Sequence, residues 1–160
     1  MRLCSALLVG LAFVAVACGE PAVDVDVPAR GPQQHVEDQA GILDAAALED
    51  RLATLAQDGP DVVALTYETP QASCGEAFRA ARQFVADWDA DIAIVAVARP
   101  GEFTATAQDR QRCVGVQPRA DRALGADLRE RIAEELVPPF AADNDWDGAF
   151  AAAVEALAAQ

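Results

Sequence analysis

The sequence has no lysine, a single histidine and one tyrosine, and aromatic residues make up only 6% of its 160 positions. Each scarcity removes a class of function. With His35 as the one imidazole, a Ser/His or Cys/His pair has a single candidate base, and a site built from several histidines is excluded. Neither G-x-S-x-G nor H-E-x-x-H occurs, and no glycine-rich loop is spaced to cradle a phosphate. Positive charge is thin as well. Arginine alone supplies it, 12 residues against 26 acids, for a formal charge of -14 and a pI near 4.2. Nucleic-acid backbones are held by clustered Arg and Lys, so this balance excludes a nucleic-acid binder. Apolar residues are not scarce. At 52% of the chain they suffice for one core, and the length suits one domain.

A long apolar run is also missing. The longest, Ala6 to Ala17, follows Arg2 and is shorter than the roughly 20 residues that a spanning helix needs. It reads as the apolar part of a signal peptide covering residues 1–17. The run closes on Val14-Ala15-Val16-Ala17-Cys18-Gly19, which resembles the lipobox of bacterial lipoproteins, with Ala15 where Leu is usual. On that reading Cys18 is lipidated and becomes the mature N-terminus; plain secretion and an uncleaved anchor are the alternatives. The expected location is the bacterial cell envelope. With Gly19 rather than Asp after the cysteine, a Gram-negative host would place the protein on the periplasmic side of the outer membrane. Cleavage removes Arg2 and no acid, taking the charge to -15. Such a surface repels anionic headgroups, so a covalent lipid rather than a basic patch would hold it to the membrane. Only Cys74 and Cys113 then remain as thiols in an oxidising compartment. One disulfide is the economical pairing, and two buried free thiols are the alternative.

Residues 18–35 carry three prolines and two glycines without helical period and read as a flexible tether ending in a solvated His35. The domain follows over residues 36–160. Asp44 caps a helix with Leu48, Leu52 and Leu55 on one stripe, stopped at Gly59-Pro60. Asp61–Tyr67 is a buried strand. Gly75–Trp88 is a helix with Phe78, Ala81, Val85 and Trp88 inside. Asp91–Ala98 is apolar throughout, as in a central strand covered on both faces. Phe103–Ala107 and Gln111–Val116 read as two more short strands. Asp121–Val137 is a helix ended by Pro138-Pro139, and Trp146–Ala159 closes the chain as another. The fold class is therefore α/β, a single three-layer α/β/α domain. Its mixed sheet has about four strands with helices on both faces.

These elements, in this order, resemble the TPM domain, an extracytoplasmic α/β family. The opening Val36-Glu37-Asp38-Gln39-Ala40-Gly41-Ile42-Leu43 is similar to the family's V-x-D-x-A-G-x-L. The closing Ile132–Phe140 and Asp147-Gly148-Ala149-Phe150 are similar to its I-x-P-x-F and Y-x-x-G. The resemblance implies a cleft at the strand ends where some members bind divalent cations, and activity as a phosphatase or as a modulator of partner complexes. Carried over by position, Asp38 matches the opening motif and Asp89 falls on the Asp of an Asp-Asn-Gly run, with Ala90 and Asp91 in the other two places. Gly115 matches the first glycine after the hairpin, whereas Gln117-Pro118-Arg119 replaces the second glycine and its acid. The Asp expected ahead of Pro138 falls on Gly125.

Two clusters are candidate metal ligands. Asp38 with Asp89 and Asp91 is the first, for Ca2+ or Mg2+; against it, Asp38 is a turn residue and the others are solvated. Asp143, Asp145 and Asp147 read D-x-D-x-D-G, the first half of a calcium loop. Its twelfth position is Val154 where a bidentate Glu is required, so a helix cap is the competing reading. Two functions follow. One is a lipid-anchored module of the envelope that binds a protein partner and, weakly, a divalent cation. The other is a metal-assisted phosphatase using Asp38 and Asp89.

Overall fold

Runs of β-branched and small apolar residues build the centre of a four-stranded sheet in the order β1-β2-β3-β4. In this computed structural model, Val23, residues 25–107 and residues 109–160 are described. The expected signal peptide 1–17 and Cys18 lie outside the described residues. The strands are β1 (Val36–Asp38), β2 (Val62–Glu68), β3 (Ile92–Ala98) and β4 (Arg112–Pro118). The first three run parallel, and β4 returns antiparallel to β3. Helix α1 (Ala45–Asp58) connects β1 to β2, and α2 (Cys74–Asp87) connects β2 to β3. Beyond β4 come a 3-10 turn (Asp121–Ala123), α3 (Ala126–Arg131), a π-helical turn (Ile132–Leu136), α4 (Val137–Ala142) and α5 (Trp146–Ala158).

Side chains alternate across a strand, so each strand feeds two cores. Val62, Ala64, Ile92, Ile94 and Val116 face α1 and α5, with Leu52, Phe150 and Leu157 packed on them. Val63, Leu65, Ala93, Val95 and Val97 face α2, under Ala77, Ala81, Phe84 and Val85. Every residue of β3 is buried, as its uninterrupted apolar run requires. The α/β architecture, the mixed sheet and helices on both faces agree with the sequence. Asp44 caps α1 by accepting from Ala47 N–H at 3.1 Å, and Gly59 ends the helix, also as expected.

Four expectations need correction. Phe103–Ala107 is not a strand. Phe103 is instead drawn into the core, where its ring meets the edge of Trp146 at 4.9 Å. The fourth strand is β1, whose three residues are too few to show alternation in the sequence. Pro138-Pro139 does not end the helical run. Proline removes an N–H and crowds the carbonyl four residues back. Here the turn just before widens, with Val137 N–H donating to Ile132 O, and the prolines occupy the first turn of α4, where no intrahelical donor is needed. The inner stripe of α2 is also rotated. It buries Phe84 rather than Phe78.

The fourth correction concerns the segment before Val36. Its described residues are seated on the domain, not free. Val23, Val25 and Val27 pack on the α2-side core. Pro28 O accepts from the Trp88 indole N–H at 2.9 Å, and Arg30 grips Asp61 at 2.6 and 2.8 Å. His35, expected in solvent, is buried. Its Nδ1 lies 2.6 Å from Glu49 Oε1, and Glu49 also accepts the backbone N–H groups of His35 and Val36.

Candidate functional site

Parallel strands place the functional loops of such a sheet at its two ends, and the register says which acid lies at which end. Asp38 pairs across to Thr66, and Thr66 to Ala96, near the carboxyl ends of β1 to β3. Asp89 precedes Ile92, the first residue of β3, which pairs with Val62 and Pro118 at the opposite end. The four steps from Ile92 to Ala96 alone span about 13 Å. The structure therefore does not bring Asp38 and Asp89 together.

Each acid already has work. Asp38 accepts N–H groups from Ile42 at 3.2 Å and Leu43 at 2.9 Å, and its Oδ1 also accepts the Thr66 hydroxyl. Those bonds fold the turn at Gly41, whose φ of 65° suits glycine. The turn reading of Asp38 is the one the geometry supports. Asp89, itself at positive φ, pairs with Arg119 in the open. Asp91 accepts from Asp61 N–H at 3.0 Å, tying the starts of β2 and β3.

The second acidic run is likewise taken up by protein partners. Asp145 caps α5 by accepting from Gly148 N–H at 2.9 Å, and Asp147 accepts from Asp44 N–H at 2.7 Å. Asn144, between Asp143 and Asp145, turns its side chain to the loop before β4 rather than to an ion. Among the described residues, no three His, Cys, Asp or Glu side chains come together as metal ligands. The groups present do not fit a bound Ca2+ or Mg2+ at either predicted place.

The cysteines do meet. Cys74 at the start of α2 and Cys113 in β4 form a disulfide, with sulfurs 2.06 Å apart and Cα atoms 5.0 Å apart. Gly115, two residues on, is where α2 touches β4. A Cβ there would lie 2.5 Å from the carbonyl of Ala77.

Two groupings went unread in the sequence. The first is the His35–Glu49–Asp61–Arg30 cluster, where Asp61 Oδ1 also lies 3.5 Å from His35 Nε2. The hydrogen bond with Asp61 raises the Arg30 pKa against the opposing effect of burial. Nothing local announces it, because its members are spread over three elements. The second is a cleft holding Arg110 and Arg112 beside Trp146, whose ring lies 5.4 Å from the Arg112 guanidinium carbon. Both guanidiniums donate to Asn144 Oδ1, at 2.9 and 2.6 Å. Burial lowers the Arg112 pKa, Arg110 lowers it further, and Glu102 works the other way. Arginines two apart at a strand entry share a face, which is the signal the sequence offered.

The sequence pattern of the TPM domain family matches residues 36–160. No curated protein matches the chain.

Proposed function

This chain belongs to the TPM domain family, and from that premise we propose that it is a bacterial envelope module, anchored by a lipid on Cys18, that acts by binding a protein partner. The observation that supports binding over hydrolysis is the sheet register, which sets Asp38 and Asp89 at opposite ends. Metal-assisted phosphoryl transfer needs carboxylates that share an ion and a substrate. Asp38 spends its oxygens on the turn after β1, and Asp89 on Arg119. Weak calcium or magnesium binding is no part of the proposal, because the acids available do not fit the ion.

The test uses the full chain. Phosphoester hydrolysis with added calcium or magnesium should stay at background, for the natural chain and for Asp38→Asn alike. A metal-dependent rate that disappears in Asp38→Asn overturns the proposal. Anchoring is read separately: Cys18→Ser should move the protein from the membrane fraction to the soluble one, and its retention after an alkaline wash argues against the lipid.

A further inference from the structure

Nine of the 12 arginines fall between Arg79 and Arg131, so the acidic charge of this protein is uneven. Within that stretch Arg110 and Arg112 share a cleft of about 360 Å³, walled on its apolar side by Val114, Val137, Pro138 and Trp146. A guanidinium has five N–H donors, and their use can be followed one by one. Arg110 donates from Nη1 to Ala105 O at 2.7 Å and to Asn144 Oδ1, and from Nη2 to Ala142 O at 3.2 Å. Arg112 donates from Nη1 to Phe103 O at 3.0 Å and to Asn144 Oδ1, with Glu102 O at 3.4 Å, and from Nη2 to Ala141 O. Among the described residues none accepts from either Nε, and no carboxylate pairs with either side chain. Each arginine thus keeps its Nε–H and one of its two Nη2–H groups without an acceptor among the described residues, and the Nε/Nη2 edge is one that grips a carboxylate side-on.

The contacts to Ala141 and Ala142 clamp the carboxyl end of α4, where cations are favoured. One guanidinium suffices for a clamp, and the second adds a like charge. The acid acting on Arg112, Glu102, is itself taken by Arg99 at 3.1 Å and Gln111 N–H at 2.5 Å. Burial, and after it the Arg110 charge, lower the Arg112 pKa, against which Glu102 works. The π-helical turn beside the cleft contributes Ala133 to its lining, and such turns recur at functional sites.

We propose that the Arg110/Arg112 cleft binds the free C-terminal carboxylate of a partner polypeptide that ends in an apolar residue. A terminal residue carries carboxylate and apolar side chain on one carbon, which matches two guanidiniums facing an apolar wall. For its biological partner this rests on the binding role proposed above; the cleft itself is tested without that partner, so either can fail alone.

The experiment follows the two indole N–H signals of the full chain by NMR during titration with N-acetyl-leucine. The Trp146 signal, whose N–H donates to Phe103 O at 3.0 Å beside Arg112, should shift saturably while Trp88 stays still. N-acetyl-leucinamide should bind at least about tenfold more weakly, as should N-acetyl-leucine to Arg110→Gln. Arg110→Gln is chosen because Arg112 bears more of the fold, and its thermal midpoint is measured alongside. No saturable shift, equal binding of the amide, or an unaffected Arg110→Gln overturns the proposal. Equally tight binding of an aspartate side-chain carboxylate, offered as an amidated peptide, overturns the terminal assignment.

Discussion

The two faces of the sheet are closed by different devices. On the α2 face, one helix is fixed to one strand: the Cys74–Cys113 disulfide joins them, and Gly115 lets the backbone of α2 rest on β4. On the α1/α5 face, several small contacts gather pieces far apart in the chain. Asp147 holds Asp44 N–H, 103 residues away, and Asn144 receives Arg110 and Arg112. The two faces therefore tolerate change differently. A face held by two devices at one place fails at that place. A face held by many weak contacts loses stability in small steps.

Removing the covalent link should break this contrast most sharply. Replacing both Cys74 and Cys113 by Ser should cost about 4 kcal/mol in the chain-entropy view, read by urea unfolding of the full chain. A loss under about 1 kcal/mol would mean that packing alone seats α2. Gly115→Ala comes next, at about 3 kcal/mol, because the added methyl meets backbone and not a mobile side chain. The same unfolding curves measure it, and an unchanged midpoint would deny the close approach. Asp38→Ala should cost about 2 kcal/mol by stranding the donors that the carboxylate now accepts from. That loss should be identical with calcium or a chelator, which separates a turn residue from a metal ligand. Asp145→Ala should remove only a helix cap, about 1 kcal/mol, again without calcium dependence.

The sequence carried the architecture well and the site poorly, for separate reasons. The apolar run Ile92–Ala98 and the Leu48/Leu52 stripe are periodic, and periodicity needs no partner to be read. The cysteine pair came from counting. Phe103–Ala107 misled because weak alternation does not distinguish a strand from a loop that turns one aromatic inward. Asp38 and Asp89 were joined by positional likeness to a family, whereas their separation depends on which end of each strand they flank. His35 reads as solvated in the sequence because its companions Glu49 and Asp61 lie on different elements. Charge clusters assembled from several elements leave no local trace.

If Cys18 carries the proposed lipid, the seating of the segment before Val36 sets how far the domain stands from a bilayer. Counted from Cys18 to Val36, a fully drawn-out chain would reach about 60 Å. Val23 is already buried against the domain. With a lipid on Cys18 only five links separate anchor from body, about 18 Å at full stretch. That leash is shorter than the width of a small domain. On the proposed anchoring it would confine the protein to a shallow layer over the lipid, where it would meet partners that keep close to the membrane surface.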